Sequence, residues 1–143
     1  MRAVLDWLVA YLFRWLPRSA PTGLFRIGDP DQSSPVIVTG NFSLTIRRVR
    51  RALRGKNLWL LVANSDGINV WCAADGGIFT HHRVIDAIKV SELADKVKHR
   101  KLIIPGLLPA FRAEIEDTSD WKEVIIGPEA ASGIPTFLSA NWK

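Results

Sequence analysis

Cysteine is nearly absent from this chain: a single thiol, Cys72, occurs in 143 residues. There is therefore no internal disulfide, no CxxC zinc knuckle and no cysteine set for an iron–sulfur cluster, and this usage fits a reducing compartment. No apolar run reaches the roughly 20 residues that cross a bilayer. The first such stretch, residues 3–16, is interrupted by Asp6 and Arg14. A cleaved secretory signal also fits poorly, because Asp6 falls where that signal is uncharged and Trp7, Tyr11, Phe13 and Trp15 add aromatic bulk. Phosphate-loop and dinucleotide glycine signatures are missing, as are internal repeats and low-complexity tracts. His81, His82 and His99 lack zinc-ligand spacing even with Cys72 included, since adjacent helical side chains are expected to diverge. No Ser-His-Asp arrangement can be assembled from Asp86, Ser91 and these histidines, so a hydrolase is not supported.

What is present describes one globular domain. Apolar residues make up 48% and charged residues 23%, a balance that argues against disorder. Nineteen Lys and Arg against fourteen Asp and Glu give +5, compatible with phosphate-bearing ligands, nucleic acid or an anionic membrane and selecting none of them. Residues 1–20 read as an amphipathic helix whose apolar face is Val4, Leu8, Tyr11, Leu12 and Trp15, stopped by Pro17. That face either packs on the domain or a second copy of it, or lies on a membrane surface with Arg2, Arg14 and Arg18 near headgroups.

Beyond the breaker-rich residues 17–35, residues 21–143 read as strands separated by helices. Strands are expected at 35–39, 58–63, 68–71, 101–104 and 122–126. Helices are expected at 44–53 behind a Ser43 cap, at 80–88, from a Ser91 cap to 97, at 110–117 and at 135–140. The alternation predicts a Rossmann-like α/β layered domain with a mostly parallel central sheet. Ligands in such sheets bind at the strand carboxyl ends, here Thr39-Gly40-Asn41, Trp71-Cys72-Ala73-Ala74, Pro105-Gly106 and Gly127-Pro128.

Two constellations stand out. In Asp66-Gly67-Ile68-Asn69-Val70-Trp71-Cys72-Ala73-Ala74-Asp75-Gly76-Gly77 the lone cysteine precedes small residues that admit a large ligand to the backbone. A buried, inert thiol is the plain alternative. Arg47-Arg48-Val49-Arg50-Arg51-Ala52-Leu53-Arg54-Gly55-Lys56 is a dense basic helix face. It reads first as a solvated surface, with an acidic partner or anionic lipid as further options and nucleic acid disfavoured.

The central string Asn69-Val70-Trp71-Cys72-Ala73-Ala74 resembles the corrinoid-binding domain of the mercury-methylation corrinoid protein and of the corrinoid iron–sulfur protein large subunit of acetyl-CoA synthesis. Pro21-Thr22-Gly23-Leu24, Ile27-Gly28-Asp29-Pro30, Ser34-Pro35-Val36, Leu102-Ile103-Ile104-Pro105 and Ile134-Pro135-Thr136-Phe137-Leu138 extend the likeness. Asp75-Gly76 and Gly106-Leu107-Leu108-Pro109-Ala110-Phe111 depart from its pattern. The resemblance implies a Rossmann-like domain holding base-off cobalamin, with Cys72 as lower axial cobalt ligand and catalytic residue. Asn69, Val70, Trp71, Ala73 and Ala74 would then form a cap helix, with Thr39, Asn41, Pro105 and Gly106 lining the site. It further implies a methyl carrier or methyl-transfer module, a component of a corrinoid-dependent methyltransferase, working with a ferredoxin-like or methyltransferase partner. The expected location is cytoplasmic, peripheral to the membrane if residues 3–16 anchor it. The rival reading is a diverged, non-catalytic module that binds a membrane surface or an acidic protein.

Overall fold

The computed structural model describes residues 19–106, 108 and 110–142. The amphipathic helix expected over residues 3–16 lies outside them. The elements are β1 (Gly23–Ile27), β2 (Val36–Gly40), α1 (Ser43–Ala52), β3 (Leu58–Ala63), α2 (Val70–Asp75), α3 (His81–Ser91), α4 (Leu93–Lys96), β4 (Lys101–Ile104), α5 (Phe111–Thr118), β5 (Glu123–Ile126), a 3-10 turn (Ala131–Gly133) and α6 (Ile134–Asn141). Among the described residues no helix is long and apolar enough to cross a membrane.

The five strands form one sheet in the order β1-β3-β2-β4-β5. All neighbours run parallel except β1, which pairs antiparallel with β3 from Gly23 opposite Val62 to Ile27 opposite Leu58. Every residue of β2 and β3 is buried, as expected of parallel strands covered on both sides. Their side chains alternate between two cores. Val36, Val38, Leu61, Leu102 and Ile104 meet α3, α4 and α5 through Val84, Ile88, Leu93 and Ile115. Ile37, Leu60, Val62 and Ile103 meet α1 and α6 through Ile46, Val49, Leu53 and Ile134. A three-layer α/β/α sandwich results, which bears out the mixed, mostly parallel reading.

Four local expectations are corrected. Residues 68–71 are not a strand. Asp66 and Gly67 take φ of 56° and 70°, and Ile68 N–H donates to Ser65 C=O at 3.1 Å, closing a tight turn that leads into α2. A short apolar run bounded by turn residues fits a strand and a buried helical turn equally, and period alone does not separate them. β1 was not anticipated, because its five residues sit among the breakers of 17–35 and its exposed Arg26 reads as loop; the guanidinium lies 5.7 Å from the Trp59 ring. Ser91 ends α3 instead of capping the next helix, and Glu92 at φ 57° makes the break before α4. Phe42, not Ser43, holds the N-cap position of α1.

His99 fastens the sheet's lower edge. Its Nε2 lies 2.8 Å from Ser34 C=O, and Nδ1 accepts from Lys101 N–H at 3.2 Å, a pattern that only the neutral Nε2–H tautomer satisfies. Burial lowers its pKa below the usual 6.5, as do Lys101 and Arg100, against the Ser34 hydrogen bond and Glu123. The unfolded chain therefore takes up this proton first as pH falls. The associated stability is complete above about pH 6.5 and is lost between there and the lower folded pKa. Asp31, held below its usual 3.8 chiefly by the Ser33 hydroxyl, titrates beneath that window. Urea denaturation of the parent protein should show stability falling from pH 7.5 to 5.5, and His99→Gln should flatten the slope; an unchanged slope would refute the assignment.

Candidate functional site

The chain leaves β2 for β3 on one side and then crosses to β4 on the other, so the winding reverses between β2 and β4. The crevice outside the carboxyl ends at such a reversal is where open α/β sheets bind ligands. Its walls start at Gly40-Asn41 and at Pro105-Gly106, and Val70, the first residue of α2, lies against Gly40.

Asn41 organises this end. Its Oδ1 accepts the N–H groups of Ser65 at 2.8 Å and Gly67 at 3.0 Å. Its own N–H donates to Ser65 Oγ at 3.1 Å, and that hydroxyl donates to Ile68 C=O at 2.8 Å. On the other side, Asn41 Nδ2 donates to Ala20 C=O at 3.3 Å and Ala20 N–H returns to Asn41 C=O at 2.8 Å. Asn41 and Ser65 are buried, so the turn before α2 is held by a satisfied internal network. Gly40 completes it, since a Cβ there would run into Val70 and the Ser65 side chain.

The six residues of α2 divide by helical spacing. Val70 and Ala73 are buried in the core and Ala74 packs partly against it, whereas Cys72 and Asp75 face outward. Ala73 N–H donates to Asn69 C=O at 2.9 Å, starting the helix. The far end is a Schellman motif: Gly77 takes φ 75°, its N–H donates to Ala74 C=O at 3.1 Å, and Ile78 N–H donates to Ala73 C=O at 2.8 Å. Asp75-Gly76-Gly77 thus terminates the helix that displays Cys72. The thiol is exposed, so the buried-thiol alternative is excluded.

The sequence-derived set accordingly separates in two. Cys72 is exposed, and Asn69, Ala74, Pro105 and Gly106 are partly so. Thr39, Asn41, Val70 and Ala73 are buried. Trp71 is the second residue of α2. At Gly106 a Cβ would strike Gly127 C=O, and Gly106 N–H donates to Pro128 C=O at 3.3 Å, so this glycine serves the close approach of two loops. Sequence reasoning missed Ser65 and the pair His81 Nδ1–Glu114 Oε2 at 2.7 Å, which ties α3 to α5 beside the stacked rings of Phe79 and Phe111. The rings of His81 and His82, expected to diverge, lie 4.0 Å apart. In the first helical turn no preceding turn restricts their χ1. Among the described residues no group of three His, Cys, Asp or Glu is placed to hold a metal ion.

Comparison with known proteins decides the family: residues 11–138 match the CO dehydrogenase/acetyl-CoA synthase delta subunit. The chain belongs to that family. It is similar to the gamma subunit of the acetyl-CoA decarbonylase/synthase complex of Methanopyrus kandleri, 42% identical over 124 residues, covering 85% of this chain and 27% of that protein. The gamma subunits of Archaeoglobus fulgidus and Methanocaldococcus jannaschii are each 38% identical over 128 residues, 88% of this chain and 27% and 26% of theirs. The delta-subunit family member described here therefore spans about a quarter of the length of these curated relatives. The match corrects the resemblance drawn from the cap string to the mercury-methylation corrinoid protein and the corrinoid iron–sulfur protein large subunit. The mercury-methylation protein is a different family from the one matched over residues 11–138.

Asn41→Ala should remove the acceptor of two buried N–H groups and destabilise the domain by about 2–4 kcal/mol in urea denaturation. Cys72→Ala, on an exposed face, should stay within about 0.5 kcal/mol of the parent. Equal stability of the two variants would show that Asn41 does not hold the turn.

Proposed function

We propose that this chain is a corrinoid-holding subunit or domain of an acetyl-CoA decarbonylase/synthase-type complex, with the Cys72 thiolate as its donor to cobalt. The observation that carries this reading is the outward placement of Cys72 on α2, at the carboxyl edge of the sheet, in a chain of the delta-subunit family. The names of its relatives, each a subunit of the acetyl-CoA decarbonylase/synthase complex, support work alongside other protein subunits.

The residues present fit such a group in chemistry and in access. A thiolate is a soft donor suited to a transition metal. Ala74 and Gly76 on the same helical segment add no bulk beside Cys72. A bound corrinoid would supply a cobalt centre able to carry a methyl group. The chain's own contribution is to orient the donor. Asn41 and Ser65 fix the entry of α2, Val70 and Ala73 anchor its inner side, and the Gly77 cap fixes its exit, leaving Cys72 little freedom except χ1. Asp75, three residues on, is exposed like Cys72.

The test is a visible absorption titration of the full chain with aquocobalamin and methylcobalamin, with Cys72→Ala alongside. A base-off spectrum that changes in the variant is the expected result. Spectra identical to free cobalamin would sink the cofactor assignment, and a spectrum unaltered by Cys72→Ala would sink thiolate ligation alone.

A further inference from the structure

Charge is unevenly divided across the sheet. Residues 43–56, comprising α1 and the turn after it, carry Arg47, Arg48, Arg50, Arg51, Arg54 and Lys56 and no acid. Across the sheet, α5 and its exit carry Glu114, Glu116, Asp117, Asp120 and Glu123 against Arg112 and Lys122. The apolar side of α1, Ile46 and Val49, is spent on the core, and its four cations are exposed, as are the two of the turn after it. None of them takes part in an ion pair among the described residues. Arg50 lies over the Phe25 ring at 5.4 Å. Arg48 and Arg51 also border an open cleft of about 650 Å³ whose opposite wall runs through Glu129, Ser132 and Pro135.

We infer that this arginine face of α1 docks on an anionic bilayer surface. Two observations favour lipid over an acidic protein. First, Ser19 bridges to Phe42 and Ala20 to Asn41, so the two residues that follow the segment 1–18 in sequence lie beside the first turn of α1. Second, the sequence of that segment combines Leu8, Tyr11, Leu12 and Trp15 with Arg2, Arg14 and Arg18, side chains suited to a headgroup boundary. Stable anchoring takes two signals, an apolar one and a polybasic one, and the sequence holds both, in residues 1–18 and in residues 47–56. The opposite, acidic face is repelled by the same surface, which sets one orientation. Docked by α1, the domain keeps α2 uncovered, because Val70 and Ala73 pack on the other side of the sheet and Cys72 faces outward from there.

The test is sedimentation of the full chain with phosphatidylcholine vesicles, with and without phosphatidylserine, at low and high salt. The chain should bind the serine-lipid vesicles and be released by salt. The variant carrying Arg47→Gln, Arg48→Gln, Arg51→Gln and Arg54→Gln should bind at least about tenfold more weakly with unchanged circular dichroism. If that variant misfolds, Arg51→Gln with Arg54→Gln should give a smaller loss in the same direction. Equal binding of parent and variant, equal binding to neutral vesicles, no binding at low salt, or salt-sensitive binding to an oligonucleotide in its place would each overturn the inference.

Discussion

The carboxyl end of this sheet depends on one buried amide. Asn41 sits where β2 runs out of partners, and without its side chain the N–H groups of Ser65 and Gly67 would be buried with no acceptor. Because Oδ1 satisfies both and Ser65 Oγ satisfies Ile68 C=O, the chain leaving β3 can turn and begin a helix after six residues. The same asparagine holds Ala20 from the opposite direction, so the entry to the domain and the entry to α2 share one anchor. Gly40 belongs to the same constraint, since a side chain there would drive Val70 away and tilt the helix.

Exposure of Cys72 follows from that anchor through helical geometry. Once Val70 is pressed against Gly40 and Ala73 lies in the core, the remaining direction for residue 72 is outward. Six residues would not hold a helix in water. Here tertiary contacts at both ends replace length, with the Asn41–Ser65 network before it and the Gly77 cap after it.

The distribution of charge has a similar origin. A parallel sheet must be covered on both faces, so α1 and α6 take one side and α3, α4 and α5 the other. Each covering helix turns its polar stripe to solvent. The stripe of α1 is basic and that of α5 largely acidic, so burying two apolar faces leaves opposite charge on the two sides of the sheet.

The strands 58–63 and 101–104, the helix from 44, the closing glycine at 55 and the α/β layering are determined by local pattern, because β-branched and leucine-rich runs between breakers have few other uses. The Asn69–Ala74 string also stands out in the sequence, because it holds the chain's one cysteine. Its conformation was not: residues 68–71 are apolar enough for a strand, and only the sheet's lack of a place for them, together with Asn41 reaching 24 residues along the chain to Ser65, made them a helix. β1 was hidden for the same reason, since an edge strand among breakers acquires its identity from β3 and not from its own sequence. Composition and period settle what can be buried. Which residues of the candidate site stand in front and which behind is a matter of long-range hydrogen bonds, and these form only when the fold brings distant segments together.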